Sequence, residues 1–513
     1  MLIELSLSRD PNKPLQHQIA NQIREFIRVG HLRPGTKLPS SRELAVQYDV
    51  SRNTVTHAYE KLFSEGYIET LKGIGTKVTD VIPDDCNAMD GPKDVSRPVA
   101  AAIRAPVVFK GHTLTIPNRS LPKPAIDFWP GRPNRDNFPL STWRRLADEV
   151  LASSAAKLVE YGDPAGVPEL REGIARHVSA TRGYHCTADM VIVTAGTQES
   201  LNLLAKMFVA NGTGVVVENP CYGGAAHTFE SYGARLCPVA VDIEGIRTDL
   251  LPDDHISLAY VTPSHQFPTG SALSSERRKA LLDWSYRTGA YIVEDDYDCD
   301  FNYGGRPLLS LAGASDGESV IYLGTFSKAL GAGVRTGYVI LPLALVGAAR
   351  AVKTMSNYGH PWLDQAILAG FLRGDTYQRH LRLIRKAYFD TLKELIRRLS
   401  ADFGNIDLRG TQNGMHVMWV LPEWVGPAQI FKQRLQDEGV YVHTISSGGA
   451  FDRASGYEES SILLGYAALS KSEVVTAAKI IARVAEANGN VSASTGDRSH
   501  LSRRQSLAIF ESP

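Results

Sequence analysis

At 513 residues, 43% hydrophobic and 21% charged, the chain is too long for one small module and has room for about three globular units at roughly 100–200 residues each. Lys plus Arg, 55, balance Asp plus Glu, 55, so the whole chain is no polycation; residues 1–79 alone hold 11 basic and 8 acidic side chains, which is weak evidence for nucleic acid. The five cysteines (Cys86, Cys186, Cys221, Cys237, Cys299) include no CxxC pair, which argues against a disulfide framework or a metal site, and the lack of a ~18-residue apolar run or a basic-then-apolar leader predicts a soluble cytoplasmic protein with no membrane partner.

In chain order, Leu15, Ile19, Ile23, Phe26 and Ile27 share one helical face. Ser40 and Glu43 then form a capping box that opens a short helix through Leu44, Ala45 and Tyr48. Ser51 is the N-cap of a third helix with an apolar stripe at Val55, Ala58, Tyr59, Leu62 and Phe63. Gly66 ends it, and Tyr67–Leu71 and Thr76–Thr79 read as two short strands around Lys72-Gly73-Ile74-Gly75. This is the pattern of a winged helix-turn-helix, mostly α with a β wing, over residues 1–79. With the stripe in the core, Arg52, Asn53, Thr54 and His57 face outward, where such folds enter the major groove. Arg42, Ser51 and Lys72 are placed for phosphates, and Gly73 allows close backbone approach at the wing. A winged helix used only for protein contacts is the blander reading of the same pattern.

Residues 80–125 carry seven prolines and little apolar periodicity, and read as a semi-extended linker. From 126 to 487 apolar strand-like runs alternate with helical patterns, as in an α/β domain; 488–513, rich in Ser, Arg, Asn and Gly, is expected to be a disordered tail. Four motifs in the α/β segment carry chemistry. Val191–Val193 runs into Thr194-Ala195-Gly196-Thr197-Gln198 and a helix, a strand–turn–helix start that offers backbone N–H groups to an anion. Tyr291–Val293 is an apolar strand ending in Glu294-Asp295-Asp296-Tyr297, where a carboxylate can keep a pyridine nitrogen protonated and a phenol can meet a ring hydroxyl. Val320–Leu323 delivers Thr325 and Lys328, whose amine is activated for a Schiff base if desolvated. Arg335 follows on a glycine-rich loop suited to clamping phosphate. Each has a blander reading alone (a connecting turn, a solubilising or metal-binding acidic cluster, a surface lysine), but the ordered set points to pyridoxal 5′-phosphate.

Residues 15–79, with Leu-Pro-Ser-Ser-Arg at 38–42 and Val-Ser-Arg-Asn-Thr-Val at 50–55, closely resemble the GntR-type bacterial DNA-binding domain. Residues 126–487 resemble the fold-type I aminotransferases: an α/β fold with a mixed, mainly parallel sheet and a small C-terminal α+β subdomain. That resemblance implies that Lys328 forms the internal aldimine, Asp295 pairs with the pyridinium, Tyr297 binds the ring oxygen and Tyr222 stacks on the ring. It further implies that Gly196, Thr197, Gln198, Thr325 and Arg335 hold the phosphate, joined by Tyr161 from across a dimer interface. Together with "TPSHQFPTG" at 262–270, the two halves resemble the MocR family of transcriptional regulators, whose members bind operator DNA as head-to-tail homodimers and regulate vitamin B6, GABA or taurine metabolism.

Two departures bear on function. Aminotransferases place Asn immediately before the Pro-Thr-Gly loop, whereas here Ser264-His265-Gln266-Phe267 occupies the region, leaving His265 or Gln266 as the substitute. Leu463 stands where aminotransferases keep an arginine for the substrate α-carboxylate, with Arg409 a possible charge from elsewhere. The expected function is a regulator that senses a B6 vitamer, amine or amino acid through Lys328 rather than an enzyme. A working transaminase that carries a DNA-binding domain is the alternative.

Overall fold

The computed structural model describes residues 3–9, 14–71, 75–80, 125–304, 309–315 and 317–493. The chain divides into two compact units, Met1–Val107 and Val108–Pro513. Lys72 and Gly73, nearly all of the expected linker and residues 494–513 lie outside the described residues.

The first unit packs helices Leu15–Arg28, Ser41–Gln47 and Arg52–Ser64 against an antiparallel hairpin, Ile68–Leu71 with Gly75–Val78. Ile19, Ile23, Ile27, Leu44, Val55, Leu62, Tyr67 and Val78 form its core. The capping box is present: the Glu43 N–H donates to Ser40 Oγ at 3.2 Å and the Ser40 N–H to Glu43 Oε2 at 2.7 Å. Phe63 is not part of the stripe, being 57% exposed. At 100° per residue it sits about 80° around the helix from Val55, beyond the edge of the packed face. Ile3 and Leu5 join the core through an extended segment whose backbone is tied down by Tyr48 and Gln47.

In the second unit an eight-stranded sheet runs in the spatial order Val191–Thr194, Gly337–Ile340, Val320–Thr325, Tyr291–Asp295, Ile256–Val261, Gly214–Asn219, Arg235–Asp242, Gly245–Ile246. The five strands from Val320–Thr325 to Arg235–Asp242 are parallel, while Gly337–Ile340 is antiparallel to both neighbours. Most of these strands are apolar runs rather than alternating ones because helices cover both faces of the sheet. A smaller antiparallel sheet, Asp407–Arg409, His416–Val420 and Ser461–Gly465, packs beside helices Thr376–Phe403 and Lys471–Ala493. The last helix continues six residues beyond the boundary expected at 487. Gly489 costs a helix only about 1 kcal/mol, and the buried residues Val474, Ala477, Ile481 and Val484 anchor the preceding turns. Among the described residues no helix is long and apolar enough to cross a membrane.

Ser40→Ala removes an N-cap and half of a reciprocal pair. It is expected to destabilise the first unit by about 1 kcal/mol, read as an earlier transition in thermal unfolding of the full chain followed by circular dichroism.

Candidate functional site

The parallel strands end together, and their C-terminal ends present the candidate residues. Thr325 lies opposite Gly337 in register. A Cβ on Gly337 would come within 2.8 Å of Gly196 Cα, and one on Gly196 within 3.6 Å of Arg335, so the fold brings Gly196, Thr325 and Arg335 together. Gly196 has φ +97°, and helix Thr197–Phe208 starts after it with no side-chain cap, leaving a positive helix end uncapped. Arg335 has no carboxylate partner among the described residues. The turn is braced from behind by Glu199, which accepts from the Ala195 N–H and pairs with the fully buried Lys353. The Gln198 side chain is not aimed at this turn: its Nε2 donates to Thr228 Oγ1 at 2.5 Å, and only its backbone is on offer.

Lys328 is half-buried, with Nζ 3.0 Å from the Gly131 carbonyl and 5.9 Å from the centre of the Tyr297 ring. Burial pulls its amine below the ordinary lysine range, against the opposing charges of Asp298 and Asp295. Asp295 takes a 2.7 Å hydrogen bond from Tyr260 on Oδ2, while its buried Oδ1 has no partner. Burial pushes Asp295 up to about 7. Tyr222 is raised to about 12, by burial first and then by the charge of Asp295. Its ring lies 6.2 Å from Phe267, which in turn lies 6.2 Å from Tyr297.

Of the two candidates before the Pro-Thr-Gly loop, Gln266 is fully committed. Its Nε2 donates to Pro220 O and Phe267 O, and its Oε1 accepts from the Thr269 N–H and hydroxyl. His265 instead reaches Asp298 and Tyr297. Tyr161 is 90% exposed beside Tyr358 and is not brought to Lys328 within the chain. Leu463 is buried with Met418, Ile445 and Ala450 in an apolar cluster against Phe267. Arg409 is already engaged, holding Asp407 through two nitrogens and Tyr457 through a third. Sequence reading missed Gly131, Tyr260, Glu199 and Asp298. Only Asp298, in the turn directly after the acidic strand end, had a local signal.

On the first unit, Arg42, Ser51, Arg52, Asn53 and His57 are exposed and Thr54 is half-buried. Ser51 caps its helix by accepting the Thr54 N–H at 3.1 Å, and Arg52 Nε lies 3.4 Å from Ser41 Oγ. The Arg52 side chain thus reaches the start of the helix that carries Arg42. His57 pairs with Glu60 at 3.1 Å.

Fold and site define an aminotransferase-type domain joined in one chain to a winged helix. Residues 130–481 match the family "Aminotransferase class I and II" and residues 15–78 match "Bacterial regulatory proteins, gntR family". The chain is 36% identical over 408 residues to the probable rhizopine catabolism regulatory protein MocR of Rhizobium meliloti, covering 79% of this chain and 81% of that one. It is 31% identical over 451 residues to the pyridoxine biosynthesis transcriptional regulator PdxR of Corynebacterium glutamicum, covering 87% and 92%. Among solved structures, an archaeal alanine:glyoxylate aminotransferase superposes with TM-score 0.65 at 28% identity, over 71% of this chain and 91% of that one. The chain belongs to the MocR family: it is a DNA-binding transcriptional regulator with an aminotransferase-like domain, and pyridoxal 5′-phosphate is the cofactor of that domain. The residues present fit that group. The partnerless Asp295 Oδ1 suits a pyridinium, the half-buried Lys328 amine an aldehyde, and the uncapped helix start with Arg335 a phosphate.

Asp295, Glu218 and Glu294 are each pushed up to about 7 by burial. Carboxyls held above their unfolded values bind protons more tightly in the folded state, so the stability they contribute is complete below about pH 4 and lost as pH rises through about 7. Cofactor-free protein should therefore melt at a lower temperature at about pH 8 than at about pH 5.5. Added pyridoxal phosphate should flatten that dependence, because a protonated ring nitrogen stabilises the Asp295 carboxylate. An unchanged slope speaks against the pairing.

Proposed function

We propose that the chain is an effector-sensing regulator rather than a turnover enzyme: a head-to-tail homodimer binds operator DNA, and ligand chemistry at Lys328 alters that binding. The reading gives each side chain a job. Lys328 carries the cofactor covalently, Asp295 holds its ring nitrogen, Tyr297 its ring oxygen, and Tyr222 covers the ring. Gly196, Thr197 and Gln198 (through backbone N–H groups), Thr325 and Arg335 receive the phosphate, with Tyr161 of the partner subunit. When bound, pyridoxal phosphate supplies an aldehyde that exchanges amines and a ring that accepts electron density. Arg42, Ser51, Arg52, Asn53, Thr54 and His57 face DNA, with Lys72 and Gly73 at the wing tip.

The observation that carries the sensing reading is the dry cluster at Leu463. A substrate carboxylate delivered there would meet Met418, Ile445 and Ala450 and no cation, and an unpaired buried carboxylate costs several kcal/mol. An effector of the amine or B6-vitamer type, with no carboxylate to place, avoids that cost. The alternative, a transaminase with an accessory DNA-binding domain, needs an arginine that is not already neutralised.

The test is turnover. Purified protein supplied with an amino donor and a keto acid is expected to complete at most a slow half-reaction. Sustained multiple turnovers at an ordinary enzyme's rate, about 1–10³ per second, overturn the reading. Lys328→Ala should abolish borohydride-reducible cofactor attachment and the visible band; retention of both removes Lys328 from its role. Arg52→Ala should weaken operator binding by about 1–3 kcal/mol in a mobility-shift titration, and an unchanged footprint refutes the base-reading role.

A further inference from the structure

The roles assigned above leave unused a buried polar cluster beside Tyr297: His265, Asp298 and His416, which are 2%, 3% and 0% exposed. His265 Nδ1 lies 2.8 Å from Asp298 Oδ2 and 3.2 Å from the Tyr297 hydroxyl, and its Nε2 has no partner. The His416 ring is 4.8 Å away, with Nε2 3.2 Å from the Pro268 carbonyl and Nδ1 without a partner. Each imidazole thus has one nitrogen facing a pure acceptor, and that nitrogen holds the proton. For His265 the acceptor is a carboxylate, which makes the bond charge-assisted and fixes the hydrogen on Nδ1. The imidazole is wedged in place: a Cβ on Gly414 would overlap it, and one on Gly410 would come within 2.7 Å of Nε2.

The consequence concerns Tyr297. The single Nδ1 hydrogen points between Asp298 Oδ2 at 2.8 Å and the Tyr297 oxygen at 3.2 Å, so the phenol accepts a share of a three-centre bond from His265, and its own hydrogen, which has Asp298 within reach in the ligand-free chain, can turn to another acceptor. We propose that His265 and Asp298 are positioning residues for the cofactor's ring oxygen: Asp298 orients the imidazole, the imidazole donates to Tyr297, and Tyr297 in turn donates to the ring oxygen. This rests on the reading that Lys328 carries pyridoxal phosphate with Tyr297 at that oxygen. It also separates the two candidates before the Pro-Thr-Gly loop in physical terms. Gln266 has no hydrogen-bonding capacity to spare, and His265 acts through the phenol.

The titratable and charged groups facing Tyr297 are His265, Asp298, Asp295, Glu218 and Lys328; His416 backs His265 and is held neutral by burial. A hydrogen bond to the ring oxygen favours the form of the bound chromophore that has lost its proton. Weakening that bond therefore moves the apparent pKa of the visible band upward.

The experiment is a pH titration of that band in the full-length, cofactor-loaded chain. His265→Phe keeps the aromatic volume without the donor; His265→Asn keeps a donor near the place of Nδ1; His265→Gln moves it toward the place of Nε2. His265→Phe and His265→Gln are expected to raise the apparent pKa by about one unit, with His265→Asn close to the native chain. A packing role gives the reverse order, Phe near native and Asn displaced; that order, or no shift in any variant, overturns the proposal. Should His265→Phe fail to fold, the Tyr297→Phe background decides. There His265→Asn and His265→Gln must titrate alike, and a persisting difference between them overturns the proposal. A native chain with no visible band at any pH fails the underlying reading instead.

Discussion

The removal of water from the strand ends governs this site. Five parallel strands, four of them almost wholly buried, bring Asp295, Thr325 and the approach to Lys328 to one edge where little solvent remains. Charges there are costly unless paired, and the described residues pair them only in part. Glu218 is held by Thr262 and Gln266, and Asp296 by Arg182 and Tyr322. Asp295 keeps one oxygen without a partner, and Lys328 finds a carbonyl rather than a carboxylate. The fold tolerates a set of half-satisfied groups that one ligand, carrying an aldehyde, a pyridinium and a phosphate, completes. Binding energy is thereby stored in the arrangement of the protein before the ligand arrives.

Much of this was legible because the period of a sequence reports burial. Val191–Thr194, Tyr291–Asp295 and Val320–Thr325 are uninterrupted apolar runs ending in polar residues, and a run of that kind fits only a strand covered on both sides. The winged helix was equally plain, since its capping box and stripe are local rules. What stayed hidden is what the chain closes over long distances. The Gly131 carbonyl meets Lys328 across 197 positions and Tyr260 meets Asp295 across 35; neither contact leaves a mark on its neighbours in sequence. Gln198 shows another limit. A glutamine in a phosphate turn reads as a ligand, yet its side chain is captured by Thr228 on the adjacent helix, a choice set by packing. Phe63 and the helix end at Ala493, the latter displaced by about two turns, were errors at element edges, where local propensity is weakest as a guide.

The apolar patch at Leu463 gains its meaning from its surroundings. A leucine in place of an arginine is a small local change if a neighbouring cation takes over the charge. Here Arg409 is neutralised by Asp407 and Arg132 by Asp127 at 2.8 Å, and the cluster is closed by Phe267 and Tyr457. Among the described residues, the apolar cluster around Leu463 holds no cation of the kind an α-amino acid would need.

Within the large unit the segment 126–131 connects Lys328 to the C-terminal part of the domain. Ile126 and Asp127 pair with Val440 and Tyr441, Asp127 holds His443 at 2.8 Å, and the Phe128 carbonyl accepts from the Gly465 N–H at 2.8 Å. Gly465 sits so close to Trp129 and Pro130 that a Cβ there would overlap their backbone. Three residues after Phe128, the Gly131 carbonyl takes the Lys328 hydrogen bond, and a Cβ on Gly131 would lie 2.5 Å from Nζ. Lys328 at Gly131 and Gly465 at Phe128 therefore hold two points of one short, tightly packed segment. A ligand that recruits the amine would remove the hydrogen bond at Gly131 and leave Phe128 held by Gly465. Packed interfaces shift between discrete arrangements rather than deforming smoothly, so under the sensing proposed above a change at this one amine would act on the small sheet only through a differential affinity for two such arrangements.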